Sequence, residues 1–251
     1  MTPSVVPARF VERPNRFLVV AELDDGRRVE AYLPNTGRLG HLTVPGRPLI
    51  LRRETAGHRK TEYTAIRAWD GTWVALEAGL APRLLVDWLA AGHPLGPFGA
   101  VATIETEVTV AHHRLDLRVG TALGPVWVEV KSGGRALGGA ALLSKTPSQR
   151  GVSHLRTLAD LVTSGERATV AFVVQRGDVE RLLVGGDADR AWVQAVRDAH
   201  AAGVAVVSYG CAVTETSVRI DRELAVVWES PAARSDPLDA DLRRLHRHPD
   251  P

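Results

Sequence analysis

Val126-Trp127-Val128-Glu129-Val130-Lys131 alternates three valines with Trp127, Glu129 and Lys131. Successive side chains of a β-strand point to opposite faces. The valines therefore share a face that enters a core, and the other face sets a carboxylate beside an ammonium. In the preceding segment, Leu115, Leu117 and Val119 share one face, and Arg114, Asp116 and Arg118 the opposite one. Paired as a hairpin across the turn Gly120 to Pro125, the two strands bring Asp116 and Glu129 together at the open end. Two adjacent carboxylates repel unless a cation lies between them. A hard divalent ion such as Mg²⁺ meets that need, with water and phosphate oxygens in its remaining positions. Such an ion activates water and polarises a phosphoryl oxygen, and Lys131 is placed to orient that water or offset developing charge. The expected reaction is phosphodiester hydrolysis. On spacing alone, an exposed Glu–Lys pair on a half-buried strand is the commoner arrangement.

Lysine usage singles out the same position. The chain has three lysines, Lys60, Lys131 and Lys145, and arginine supplies the other positive charges. An ammonium has a tunable proton affinity that a guanidinium lacks.

On the C-terminal side the pattern alternates helix and strand. Ser148 caps a helix to about Thr163, Ala168 to Val174 reads as a buried strand, and Asp187 to His200 as a second helix. Val204 to Tyr209 is a further strand, and Val213 to Ile220 with Leu224 to Trp228 a closing hairpin. This order predicts an α/β layer. On the N-terminal side, Pro82 to Ala91 is a helix preceded by short strands. Phe17 to Leu23, Val29 to Leu33, Leu49 to Arg53, Glu62 to Trp69 and Thr72 to Leu76 are separated by turn signals such as Asp25-Gly26 and Asp70-Gly71. Five short strands suggest a small barrel of the OB type. The expected architecture is α+β with two domains, a five-stranded OB-fold-like barrel over 1–79 and an α/β domain over 80–229. The tail 230–251, rich in Pro, Asp and Arg, reads as disordered.

At 251 residues the chain holds one large or two small domains. No apolar run is long enough to span a membrane, and the N-terminus lacks a secretory signal. The single cysteine, Cys211, fits a reducing, cytoplasmic setting and excludes a zinc site built on several cysteines. The net charge of +2 is unevenly spread. Arg38, Arg47, Arg52, Arg53, Arg59, Lys60 and Arg67 face only Glu54 and Glu62 within their stretch. This is either a polyanion-binding surface or an ordinary solvated one, at equal weight.

Asp116, a gap, then Glu129-Val130-Lys131 resembles the core of the PD-(D/E)XK nuclease superfamily. A wider set of blocks resembles the sugar fermentation stimulation protein A (SfsA) family. These are RFLVVAELDDGRRVEAYLPNTGRLGHLTVPG, RKTEYT, RLD, VEVKS, PSQRGVSHL and FVVQR, in the family's order, between about Arg16 and Cys211. The resemblance implies an N-terminal OB-fold, a PD-(D/E)XK nuclease-like domain and a DNA- or RNA-binding protein with Mg²⁺-dependent nuclease activity, Mn²⁺ being the substitute ion. The alternative is a non-catalytic, DNA-binding and regulatory protein on the same fold. By motif position, Asp116 and Glu129 are the metal carboxylates, with Val130 between Glu129 and Lys131 and Glu107 as further metal positions. Lys131 is the catalytic lysine. Gln175 positions water or phosphate, or simply ends a buried strand. Arg114 contacts phosphate, and Arg59, Lys60, Lys145 and Arg150 extend the nucleic-acid surface. The chain departs from the family at Lys145, where FPDAPTxRG has an aspartate, at the Gly-rich loop Ser132 to Gly139, and at Glu77 to Pro82, which lacks the asparagines of NTxLPN.

Asn35 and Arg38 are phosphate-binding candidates through turn amides and a guanidinium, or members of a tight turn. His112 and His113 read as surface residues. His246 and His248 fall in the tail. Trp69 and Trp73 read as core residues more readily than as base-stacking ones. Oligomeric state is not legible.

Overall fold

The computed structural model describes residues 5–54, 61–110, 113–144 and 149–229. Arg59, Lys60, His112, Lys145, the Ser148 cap and the tail, with His246 and His248, lie outside them.

The first domain is a closed barrel. It is built from β1 (Val5–Asn15), β2 (Leu18–Leu23), β3 (Arg28–Tyr32), β4 (Pro48–Arg53) and β5 (Tyr63–Trp69), with a short sixth strand, β6 (Trp73–Ala75), hairpinned to β5. The order is β3-β2-β1-β4-β5-β6. Parallel pairing of Ala31 with Tyr63 and of Tyr32 with Thr64 joins β3 to β5 and closes the five strands. Closure removes the unpaired edges of an open sheet. Phe10, Val19, Leu33 and Leu51 fill the interior.

The five barrel strands are not the five expected. β1 was missed because Pro7 and Pro14 argue against a central strand. It is nonetheless central, paired with both β2 and β4, and its register shifts twice. β6 lies outside the closed ring.

The second domain runs through α1 (Ala81–Ala90), β7 (Val101–Val110), β8 (His113–Thr121), β9 (Gly124–Gly133), β10 (Arg135–Leu137), β11 (Ala140–Leu142), α2 (Gln149–Thr163), β12 (Arg167–Val174), β13 (Arg181–Val184), α3 (Arg190–Ala201), β14 (Ala205–Val213) and β15 (Val218–Trp228). Its sheet is ordered β10-β11-β13-β15-β14-β12-β9-β8-β7. α1 covers one face and α2 and α3 the other. β12 is buried on both faces, with Ala171 and Val173 under α1 and Val170, Phe172 and Val174 under α2 and α3. A continuous apolar run is what such a strand requires.

Three readings are corrected here. The Gly-rich stretch Ser132 to Gly139 is not a loop, since it carries the end of β9 and all of β10. β13 occupies a stretch for which no element was expected. The closing hairpin turns at 214–217, where Thr214 N–H donates to the Ser217 carbonyl, and β15 runs unbroken from Val218. The charged residues Asp221-Arg222-Glu223 resemble a turn, but Arg222 extends to the Gly177 and Val179 carbonyls.

The two domains meet through backbone and charge. Val74 bridges Arg176, and Ala75 N–H donates to the Gln175 carbonyl at 3.0 Å. Arg176, only 3% exposed, reaches Asp70 of the barrel, Asp178 and the Gly134 carbonyl. No helix among the described residues is long and apolar enough to cross a membrane.

Candidate active site

β8 and β9 pair as the expected hairpin from Thr121↔Gly124 to Leu117↔Val128, and there the ladder stops. Beyond it a side chain replaces the backbone partner, and the Val130 N–H donates to Asp116 Oδ2 at 2.7 Å. The alternation of β8 breaks at the same point. Leu117 and Val119 pack under α1, whereas Leu115 joins the core below α2 and α3, so the three do not share one face. β9 keeps its alternation. Val126, Val128 and Val130 lie in the α1 core, and Glu129 turns toward α2.

Asp116, Glu129, Val130 and Lys131 line one cavity of about 370 Å³, with Glu107, Arg114, Arg150 and His154. Glu129 is 3% exposed. Its Oε1 accepts from Lys131 Nζ at 2.6 Å and lies 2.6 Å from His154 Nδ1. Its Oε2 is buried and has no hydrogen-bond partner among the described residues. Burial, and then the Glu129 charge, push the Asp116 carboxyl above its ordinary range, opposed by the Val130 N–H, Lys131 and His154. An unpartnered buried carboxylate oxygen beside a second, destabilised carboxylate is a site short of positive charge. Among the described residues no group of three or more His, Cys, Asp or Glu is placed to hold a metal ion by itself. Two carboxylates suit Mg²⁺, which uses one or two and keeps water or phosphate elsewhere.

His154 was not singled out in the sequence. It sits four residues after Arg150 on α2, and that i, i+4 spacing on one helix face was the available signal. Arg150 Nε donates to His154 Nε2 at 3.3 Å, so Nδ1 carries the proton given to Glu129. His113 is not a surface residue. It is half-buried, 3.2 Å from Ser153 Oγ and edge-on to the His154 ring at 5.5 Å.

The remaining candidates fall in three places. Glu107 and Arg114 stand at the exposed rim and pair with each other at 3.4 Å. Glu107 also has φ +56°, the sole non-glycine positive φ among the described residues. Gln175 does not line the carboxylate cavity. It is buried, donating to the Glu77 carbonyl and accepting from Ser132 Oγ, where it joins the domains. Asn35 and Arg38 line a second cavity of about 250 Å³ between the barrel and the β9–β11 region. This cavity shares Ala78, Lys131 and Gly151 with the first. Trp69 is exposed rather than in the core and meets Trp73 edge-on at 5.2 Å. The basic run is mostly neutralised within the fold. Arg47 pairs with Asp70, Arg52 with Glu54 and Glu77, Arg53 with Glu62, and buried Arg67 with Glu77.

The family model described as the SfsA N-terminal OB domain matches residues 11–76, and that described as the sugar fermentation stimulation protein RE domain matches residues 79–217. The chain is 35% identical over 234 residues to the sugar fermentation stimulation protein homolog of Chloroflexus aggregans, covering 92% of this chain and 89% of that protein. It is 37% identical over 220 residues to the homolog of Moorella thermoacetica, covering 86% and 94%. The structure of Pyrococcus furiosus SfsA in complex with Ca²⁺ superposes with a TM-score of 0.77 at 24% identity, covering 89% of this chain and 96% of that one. At that identity the likeness is one of fold.

Proposed function

The chain belongs to the sugar fermentation stimulation protein family, and on that premise we propose that it binds nucleic acid and hydrolyses phosphodiester bonds with a divalent cation, Mg²⁺. One observation carries the reading: Asp116 and Glu129 line the same cavity, Glu129 Oε2 is buried without a partner among the described residues, and the Lys131 ammonium adjoins. Asp116 and Glu129 would hold the ion, with Val130 beside them. Such an ion, when bound, supplies Lewis-acid polarisation of a phosphoryl oxygen and a water of lowered pKa.

The chain's own groups do the rest. His154 donates to Glu129 and fixes the orientation of its carboxylate, as partners behind a ligand do. Lys131 carries a point charge into the cavity, placed to stabilise negative charge gathering on the phosphoryl group. Arg114 and Arg150 at the rim offer guanidinium donors to flanking phosphates. The barrel holds the substrate backbone beside this centre.

The test is incubation of the purified protein with single- and double-stranded DNA and RNA, in Mg²⁺ or EDTA, beside Glu129→Gln and Lys131→Ala. Metal-dependent products that disappear in both variants establish cleavage. Binding without products in every sample supports a non-catalytic binding protein on the same fold.

A further inference from the structure

The barrel carries exposed rings that its own core does not use. Phe17 is 41% and Tyr32 40% exposed. Phe17 lies in the turn between β1 and β2, where its carbonyl accepts from Leu33 N–H, and Tyr32 lies one residue earlier on β3, paired with Leu18. The Arg16 guanidinium carbon stands 4.7 Å from the Phe17 ring centre. An exposed ring with a cation beside it is the arrangement on which unpaired bases stack, whatever their sequence.

The turn that holds Phe17 is tied to the segment after Tyr32. Arg13 donates to the carbonyls of Arg16, Asn35 and Gly37 at 3.0–3.1 Å. The segment that follows Tyr32 is thereby fixed beside Phe17 and runs directly into the wall of the 250 Å³ cavity at Asn35 and Arg38. Arg38 is exposed and has no ion-pair partner among the described residues, in contrast to the other described arginines of the basic run. The far wall holds Lys131, which also lines the carboxylate cavity. The walls of this cleft come from both domains.

We propose that the substrate is single-stranded nucleic acid, with unpaired bases stacking on Phe17 and Tyr32 and the backbone passing Arg38 through the interdomain cleft to Lys131. The inference rests on the nucleic-acid reading above and names its substrate class.

Binding is measured in EDTA, where metal-dependent cleavage cannot interfere, by fluorescence anisotropy of labelled oligodeoxythymidylate, oligouridylate and a blunt hairpin duplex on the full chain. We expect both single strands to bind more tightly than the duplex; the tighter of the two separates a DNA from an RNA source. Phe17→Ala, Tyr32→Ala and Arg38→Ala should each weaken single-strand binding about fivefold or more, with duplex binding and melting temperature unchanged, and Tyr32→Phe should retain affinity. Equal or tighter duplex binding, single-strand affinity indifferent to all three variants, or no oligonucleotide bound at all overturns the proposal. Missing hydrolysis products alongside intact, variant-sensitive single-strand binding would instead refute only the hydrolytic reading.

Discussion

His154 Nδ1 stands 2.6 Å from Glu129 Oε1, the oxygen that Lys131 Nζ also reaches. One carboxylate oxygen is thus held from a helix and from its own strand, which leaves Oε2 as the oxygen open to a cation. Removing the imidazole frees the carboxylate to rotate. His154→Ala should weaken Mn²⁺ affinity, read by calorimetric titration, about 10- to 100-fold. His154→Gln, whose amide can still donate, should recover part of it. Unchanged affinity in the alanine variant would reduce His154 to a packing residue.

Arg176 is buried among groups from both domains, so its loss leaves Asp70 with Arg47 alone, takes the cation from an exposed Asp178 and leaves the Gly134 carbonyl without its donor. Losing a buried donor to a carbonyl and two carboxylates costs about 1–3 kcal/mol. Arg176→Ala should show that loss in urea unfolding. Arg176→Lys should not restore the stability, because one ammonium cannot reproduce the forked donation to Asp178.

His41 supplies a pH dependence. Burial, with Arg176 and Arg135 nearby, holds it below its ordinary value of 6.5, against the opposing effects of Asp70 and the Gly134 backbone. The unfolded chain therefore takes up this proton at a higher pH than the folded one. Stability falls as pH drops through 6.5 and stops falling once the depressed folded value is passed. Melting temperatures from about pH 8 to about pH 5 should decline less steeply for His41→Gln than for the parent. Parallel curves would remove His41 from the acid response.

Glu107 separates backbone strain from carboxylate chemistry. Its positive φ costs about 1–2 kcal/mol for a residue with a Cβ. Glu107→Gly and Glu107→Ala both delete the exposed carboxylate, and only glycine relieves the strain. The glycine variant should be the more stable by about 1 kcal/mol in chemical denaturation, and equal cleavage by the two variants would assign any lost activity to the carboxylate alone.

Legibility followed the range of the interaction. The period-two pattern of β9 exposed its core face and set Glu129 and Lys131 together, and the turn signals at Asp25-Gly26 and Asp70-Gly71 located two hairpins. β1 was hidden because prolines and bulges mask its alternation. The basic run looked like a surface patch because Asp70 and Glu77, which neutralise Arg47, Arg52 and Arg67, lie outside it in sequence. Gln175 read equally as a site residue and as the end of a buried strand because its partners, Glu77 and Ser132, come from distant segments.

The sequence alone determined the local periods: which valines face a core, where the chain turns, and that a carboxylate and an ammonium sit two residues apart on one strand face. Those follow from backbone geometry and steric preference within a few residues. Only the tertiary structure decided that α2 lays His154 over Glu129, that β3 meets β5 to close the barrel, and that Arg38, without an ion-pair partner among the described residues, stands beside a cleft leading to Lys131. Those contacts join segments far apart along the chain, and burial and charge balance across the whole fold select them.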